Sequence, residues 1–379
     1  MKKLQYKISQ LFLLILVYNL KLIYFFFKMF PVKNQIVLIS RQSDNLSIDF
    51  LTLKKYIETK EPNISIKIIC KRLEKNFFSK VVFYMYTIKQ MYYLARSKVC
   101  VLDSYCLPVS VLNHKKELTV IQMWHAIGKI KKSGYQTVGK TYGRRSLHAK
   151  TLKMHYNYDF VIAGAPYWTE FYCKTFNVTK DKIVNFGLPR IDYILDGANN
   201  VVEKLKKSNI ELFNKPIILY APTFRKKESV NVEDVLSHID YEKYNIIIKL
   251  HPNDLRKEKI DRNKYIVIDD YSASELLLVC DYLITDYSAI AFEAAIVDKK
   301  IFFLLYDYEK YISKNGLNFN LLTEVLDFVL FNSKDLGEKL EQEYNWELYK
   351  KFKEKVLPNP INGSTEKIAN LIFKELEKK

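Results

Sequence analysis

Disulfide and zinc frameworks have little to build on in this sequence. Its five cysteines, Cys70, Cys100, Cys106, Cys173 and Cys280, form no CxxC pair and leave an odd one over. Most sit in apolar runs such as KVCVLD and LLVCDYLIT, so they read as buried thiols of a reducing cytosol. Neither a P-loop nor a GxGxxG segment is present, which removes most ATPase and dehydrogenase readings. There is no repeat of solenoid period and no low-complexity tract. At 379 residues the chain exceeds what one hydrophobic core usually organises, and 49% apolar with 27% charged residues is an ordinary globular balance, so two domains are expected. Acidic residues are scarce in one half only: residues 1–190 hold 32 Lys/Arg against 10 Asp/Glu, and residues 191–379 hold 28 against 32. A first half so basic suits an anionic partner, whether nucleic acid, acidic lipid headgroups or a phosphorylated acceptor; surface lysine for solubility is the plain alternative.

The opening segment narrows that choice. Lys2, Lys3 and Lys7 precede LFLLILVYNLKLIYFFFKMF, which runs to Pro31. Asn19 and Lys21 interrupt it near the middle, and a lysine at a bilayer centre costs about 2.5–3.5 kcal/mol even on lenient insertion scales. Lys7, Lys21 and Lys28 are spaced by multiples of seven and share one helical stripe. The expectation is a helix lying in the membrane interface rather than spanning it. No small-x-small site comes after it to suggest a cleaved signal, and a buried first helix is the other alternative.

From residue 34 onward short β-rich runs alternate with helical patterns, the signature of parallel α/β layers. Strands are expected at NQIVLIS, ISIKIIC, KVCVLD, ELTVIQMW and YDFVIAGA, then at KPIILYAP, YNIIIKLH, KYIVIDD, DYLITD and KKIFFLLY. Helices are expected near 47–60, 76–96, 166–177, 273–280 and 288–298, with DGANNVVEKLKKSNIELFN as a crossover. This predicts a GT-B architecture, two Rossmann-like domains facing across a cleft. Its parts are a membrane-associating helix over 1–30, an acceptor domain over 31–195, a nucleotide-donor domain over 196–335 and a helical tail over 336–379.

Ligands of open parallel sheets bind beyond the carboxyl ends of the strands. Five predicted ends carry polar residues: Trp124-His125, Gly164, Thr223-Phe224-Arg225, His251-Pro252 and Thr285-Asp286-Tyr287-Ser288. Two of only six histidines fall there, one per predicted domain, and such a pair suits a base and a phosphate stabiliser. Each taken alone is equally a satisfied loop histidine. Ser288 would open the helix SAIAFEAAIV, so Thr285 and Ser288 could hold a diphosphate at its N-terminus, with Asp286 either beside it or simply an N-cap. Glu293, further into the helix, is a candidate for a ribose hydroxyl.

Taken together, QMWHAIGKIKKSG, GLPRID, YAPTFR, IIKLHP and CDYLITDYSAIAFEAA resemble, in order, the motifs of the CDP-glycerol glycerophosphotransferases of teichoic acid synthesis, a family with priming, polymerising and ribitol-phosphate members. Ala126 stands where that family usually has glycine after the histidine. The resemblance implies a GT-B fold and transfer of glycerol phosphate from CDP-glycerol to a hydroxyl of a lipid-linked acceptor, with CMP released. It implies that His125 is the base and that His251 faces the donor diphosphate. Arg225, Thr285 and Ser288 would bind the two phosphates, and Arg190 and Asp192 of GLPRID would organise the cleft. With those donors in place, and no DxD segment, no metal or other cofactor is expected. The segment 129–150 contains seven basic residues and no acidic one; Lys129, Lys131, Lys132, Arg144 and Arg145 are expected to meet a polyprenyl-diphosphate headgroup at the cytoplasmic membrane face, a mobile solvated loop being the alternative. A ribitol-phosphate transferase or a GT-B sugar transferase for capsule synthesis is the near alternative. A nucleic-acid-binding module is the distant one, since the aromatics lie mostly in apolar runs at core spacing, as in VVFYMYTIKQMYYL. The single catalytic region looks like the shorter priming members, and homo-oligomerisation is left open.

Overall fold

A computed structural model of the chain describes residues 2–72, 77–224, 232–250, 254 and 260–378. The chain divides into two compact units: residues 1–126, 132–190 and 363–379 form the first, and residues 127–131 and 191–362 form the second.

The first unit carries strands β1 (Lys33–Ser40), β2 (Ser65–Cys70), β3 (Ser97–Leu102), β4 (Thr119–Gln122), β5 (Phe160–Ile162) and β6 (Ile183–Val184). They pair in parallel in the order β2-β1-β3-β4-β5-β6. Ile36 to Ile39 and Val99 to Leu102 are all buried, without alternation, as expected of parallel strands covered on both faces. One cover is the helix Ile48–Lys60, opened by Ser47, whose side chain accepts from the Phe50 amide. That N-cap frees the next turns to bury Phe50, Leu53 and Ile57 in one stripe. The stripe meets the helix Ser364–Glu377, which buries Ile368, Ala369, Ile372 and Leu376 and is tied down by Thr119 Oγ1 donating to Glu375 Oε2 at 2.8 Å. The sequence pattern groups residues 336–379 as one tail; in the structure residues 336–362 lie with the second unit and residues 363–379 with the first.

The N-terminal helix Lys2–Phe27 packs on this unit through Val17, Leu20 and Tyr24, and the Tyr24 hydroxyl lies 2.8 Å from His114 Nδ1. Leu11, Ile15, Tyr18 and Leu22 make a separate, exposed apolar stripe. Residues Gln10–Phe27 are long and apolar enough to cross a membrane by length and composition, with 17% of that window buried.

The second unit carries β7 (Ile217–Tyr220), β8 (Asn245–Ile248), β9 (Tyr282–Thr285), β10 (Lys300–Leu304) and β11 (Val329–Leu330), all parallel in the order β11-β10-β9-β7-β8. The expected strand KYIVIDD is instead a single bridge, Ile266 against Ile247. Beyond it the Lys249 ammonium donates to the carbonyls of Ile268 and Asp269, which removes them from any ladder. The crossover segment is the latter part of a 20-residue helix, Pro189–Ser208, followed by a 3-10 turn, Ile210–Phe213.

The first turn of that helix is pinned inside the first unit. Asp49, fully buried, accepts from the Arg190 amide at 2.9 Å and from its guanidinium through Nε and Nη2. Arg190→Ala should therefore leave a buried carboxylate without its counter-charge and lower the unfolding free energy by about 3–5 kcal/mol, read as a shift in the urea midpoint. A loss within the ~1 kcal/mol of an exposed ion pair would show that the bridge does not fasten the unit.

Candidate functional site

In each unit the strand order reverses once, between β1 and β3 in the first and between β7 and β9 in the second. Loops leave the sheet in opposite directions at such a point and open a crevice at the carboxyl ends.

In the first unit the reversal is lined by the loops that leave β1 and β3, with the end of β4 beside them. Gln122, the last residue of β4, is fully buried; its amide donates to the Ser104 carbonyl at 3.2 Å and accepts from the Trp124 amide at 2.9 Å. That places Trp124 at φ +62°, a conformation costly for a bulky residue. The Trp124 ring is held by Phe176 at 5.2 Å and lies 4.2 Å from the His125 ring. His125 Nδ1 is 2.9 Å from the Asp103 carbonyl, just after β3, and 3.2 Å from the Gln42 amide nitrogen, just after β1. A carbonyl only accepts, so the shorter contact puts the proton on Nδ1 and the lone pair on Nε2. The site therefore presents the tautomer a general base needs.

Asp103 itself is 1% exposed and its carboxylate oxygens make no hydrogen bond of ordinary geometry. Burial raises its pKa to about 6, opposed by the nearby hydroxyls of Ser40 and Ser104. Between its ordinary pKa and 6 the folded chain holds a proton the unfolded chain releases, so this carboxyl favours folding at lower pH and its contribution is lost as pH rises through 6.

Ala126 accepts from the Tyr172 hydroxyl at 3.0 Å. The basic segment after it is built, not a loose loop. Gly134 has φ +57° and a Cβ there would lie 2.2 Å from the Thr175 carbonyl oxygen; at Gly143 a Cβ would lie 1.7 Å from that of Thr137. Ser133 and Gln136 form a capping box, and residues Ser146–Thr151 are helical. The segment also divides: residues 127–131 belong to the second unit, where Ile130 accepts from the Asn318 amide and Lys131 bridges to Leu317. Lys129 and Lys131, expected to meet a polyprenyl-diphosphate headgroup, are thus held by the second unit, apart from Lys132, Arg144 and Arg145 of the same basic segment. Lys129 is 4% exposed, and burial lowers its pKa to about 7. Lys131 Nζ donates to Thr223 Oγ1 at 3.1 Å and stands 5.9 Å from the Tyr311 ring centre. Lys132 and Arg144 are half-buried and Arg145 is exposed, all in the first unit.

In the second unit the ends of β7 and β9 are laced together. Thr285 Oγ1 donates to the Ala221 carbonyl at 2.7 Å, and Asp286 Oδ1 accepts from the Thr223 amide at 2.8 Å. Both side chains are buried, so the Thr285 hydroxyl is a brace of the crevice rather than a phosphate contact, and Asp286 is no N-cap of the next helix. That helix, Ile290–Ile296, is 7 residues long; Ser288 Oγ accepts from the Ile290 amide at 3.4 Å. Glu293 is buried and accepts from Ser274 Oγ, which places it inside the unit rather than toward a ribose. Tyr287 stacks on Tyr311 at 3.6 Å and donates to Asp307 at 3.1 Å. Arg190 serves Asp49 as described, and Asp192 stands in the first turn of the same helix. His251 and Arg225 lie outside the described residues.

Sequence reasoning passes over Asp103, whose carbonyl holds His125, Gln42, which lies beside it, and Thr223 and Lys131, which join at the second reversal. Their signal is the same as for the others, a polar residue at or near a strand end. Which ends are neighbours depends on strand order.

Comparison with known proteins gives a consistent result. A teichoic acid ribitol-phosphate primase of Bacillus spizizenii is 26% identical over 360 residues, covering 90% of this chain and 92% of that protein. A teichoic acid glycerol-phosphate primase of Bacillus subtilis is 30% identical over 296 residues, covering 76% of each. The structure of the wall teichoic acid polymerase TagF superposes with a TM-score of 0.71 at 19% identity, covering 99% of this chain and 98% of that one, a likeness of fold that agrees with two parallel α/β units of GT-B type. The model of the CDP-glycerol:poly(glycerophosphate) glycerophosphotransferases matches residues 22–374, and the chain belongs to that family of transferases.

Proposed function

We propose that the protein transfers glycerol phosphate from CDP-glycerol to a hydroxyl of a polyprenyl-diphosphate-linked glycan at the cytoplasmic membrane face. The observation that carries this is His125, fixed at the reversal of the first sheet in the tautomer of a base. The acceptor hydroxyl loses its proton to His125 Nε2 as its oxygen attacks the phosphorus that bears glycerol. The bond from that phosphorus to the bridging oxygen breaks, and CMP leaves with the electron pair. Charge on the departing phosphate falls to cations of the second unit: Lys131, which donates to Thr223 at the second reversal, and by motif Arg225 and His251. Ser288 keeps its place as a donor to the diphosphate. Ribitol phosphate is the second reading, favoured by the primase that matches along 90% of this chain; CDP-glycerol and CDP-ribitol assayed side by side for CMP release separate the two.

The exposed stripe of Leu11, Ile15, Tyr18 and Leu22 fits an interfacial anchor, seconded by the basic first half.

His125→Ala should reduce turnover by about two or more orders of magnitude while far-UV circular dichroism is unchanged; near-full activity would remove His125 from the chemistry. Transfer should persist in excess EDTA, since protein cations are assigned the charge neutralisation. Full loss on chelation with recovery in Mg²⁺ would overturn that. Replacing Leu11, Ile15 and Tyr18 together by Ser should move most of the protein to the soluble fraction and leave the packed face of Val17, Leu20 and Tyr24 intact. Retention of that variant on membranes through alkaline carbonate would point to a span instead.

A further inference from the structure

A cavity of about 290 Å³ opens in the first unit beside the β1/β3 reversal. Its walls include Leu13 of the N-terminal helix, Phe83 and Leu107, and its polar lining includes Arg41, Arg144 and His148. The two guanidiniums share one aromatic platform: Arg41 lies 5.3 Å and Arg144 4.8 Å from the centre of the Tyr105 ring. Two cations so placed repel, and among the described residues no carboxylate forms an ion pair with either. Arg144 Nη1 is buried without a hydrogen-bond partner. Burial, and then the neighbouring Arg144, depress the Arg41 pKa from its ordinary value. An arrangement of this kind is costly in the absence of an anion and is compensated by one.

The cavity also adjoins the candidate base. Arg41 precedes Gln42, and Ser104, another lining residue, comes directly after Asp103; Gln42 and Asp103 both contact His125 Nδ1. On its other side the cavity reaches Leu13, in the helix whose outer stripe is exposed and apolar.

We infer that this cavity binds the diphosphate headgroup and first apolar units of a membrane-embedded prenyl-diphosphate acceptor, Arg41 and Arg144 taking the phosphates and Leu13 and Phe83 the chain. The assignment rests on the proposed acceptor class and makes it specific. The planar, forked donors of arginine match phosphate oxygens. A ligand anionic at one end and greasy at the other satisfies both halves of the lining, and its glycan would extend toward His125.

The test uses the full chain and does not depend on turnover. Flotation with phosphatidylcholine vesicles, with and without polyprenyl diphosphate, is compared for the wild type, Arg41→Gln, Arg144→Gln, Leu13→Glu and Lys150→Gln, an exposed cation of the same segment. The prenyl-diphosphate increment in binding should fall about tenfold or more in both arginine variants and in Leu13→Glu, and stay unchanged in Lys150→Gln. Should one arginine variant not fold, the other carries the comparison. Loss in Lys150→Gln equal to that in the arginine variants would reduce the effect to general surface charge and overturn the site. So would an undiminished increment in the arginine variants. Inorganic pyrophosphate is the second arm: if it binds as tightly as the lipid and Leu13→Glu leaves the lipid increment intact, the cavity is a soluble-phosphate site and the lipid assignment fails. In transfer assays the same arginine variants should raise KM for the lipid acceptor about tenfold with KM for CDP-glycerol unchanged. Binding to the lipid with no transfer from any CDP-polyol would instead fail the proposed reaction and leave the site standing.

Discussion

Parallel strands place all their carboxyl ends on one edge of the sheet, and a sheet that grows in both directions from its first strand must open a gap there. The remaining features of this molecule are ways of filling or lining that gap. In the second unit it is closed by the protein's own hydrogen bonds: the Thr285 hydroxyl crosses to Ala221 and the Asp286 carboxylate crosses to the Thr223 amide. Buried hydroxyls and carboxylates must find partners, and these have found them across the gap. A ligand at that edge would thus meet main chain, Lys131 and Ser288 rather than the two residues whose types first suggested a site.

The first unit handles its gap differently. Gln122 and Asp103 form a frame in which the Gln122 side-chain amide sets the turn at Trp124 and the Asp103 main-chain carbonyl sets the tautomer of His125. Holding a tryptophan at positive φ costs free energy, of order 1–3 kcal/mol, offset by packing of its ring against Phe176. The alanine at 126 fits this frame through its carbonyl, which accepts from Tyr172 and asks nothing of the side chain.

Legibility in the sequence obeys the same physics. Strands covered on both faces announce themselves as runs, so β1, β3, β7 and β9 are visible, while β6 and β11, two residues each, carry no pattern to detect. His125 is visible because histidine is rare and the motif around it is distinctive. Arg41 and Asp103 are not, because their meaning comes from β1 and β3 being neighbours, separated by more than 50 residues of chain. Glu293 and Thr285 have the right chemistry for a nucleotide site, but burial turns them inward to Ser274 and Ala221. Lys129 and Lys131 sit in a run of positive charge that suggests one surface, yet pairing at Leu317 and Asn318 draws residues 127–131 to the other unit.

That division changes what the charge asymmetry means. A net excess of cations is a statement about long-range attraction and solubility, screened within about 8–10 Å in salt, and by itself it specifies no ligand. Specificity enters only where a cation is held away from water without a carboxylate to answer it. Most of the described lysines of the first half are exposed and fail the first condition. Arg41 and Arg144 meet both, over one tyrosine ring and behind a leucine of the apolar N-terminal helix. The basic half therefore resolves into a diffuse field that favours an anionic surface and one position where that surface's phosphate has somewhere to go.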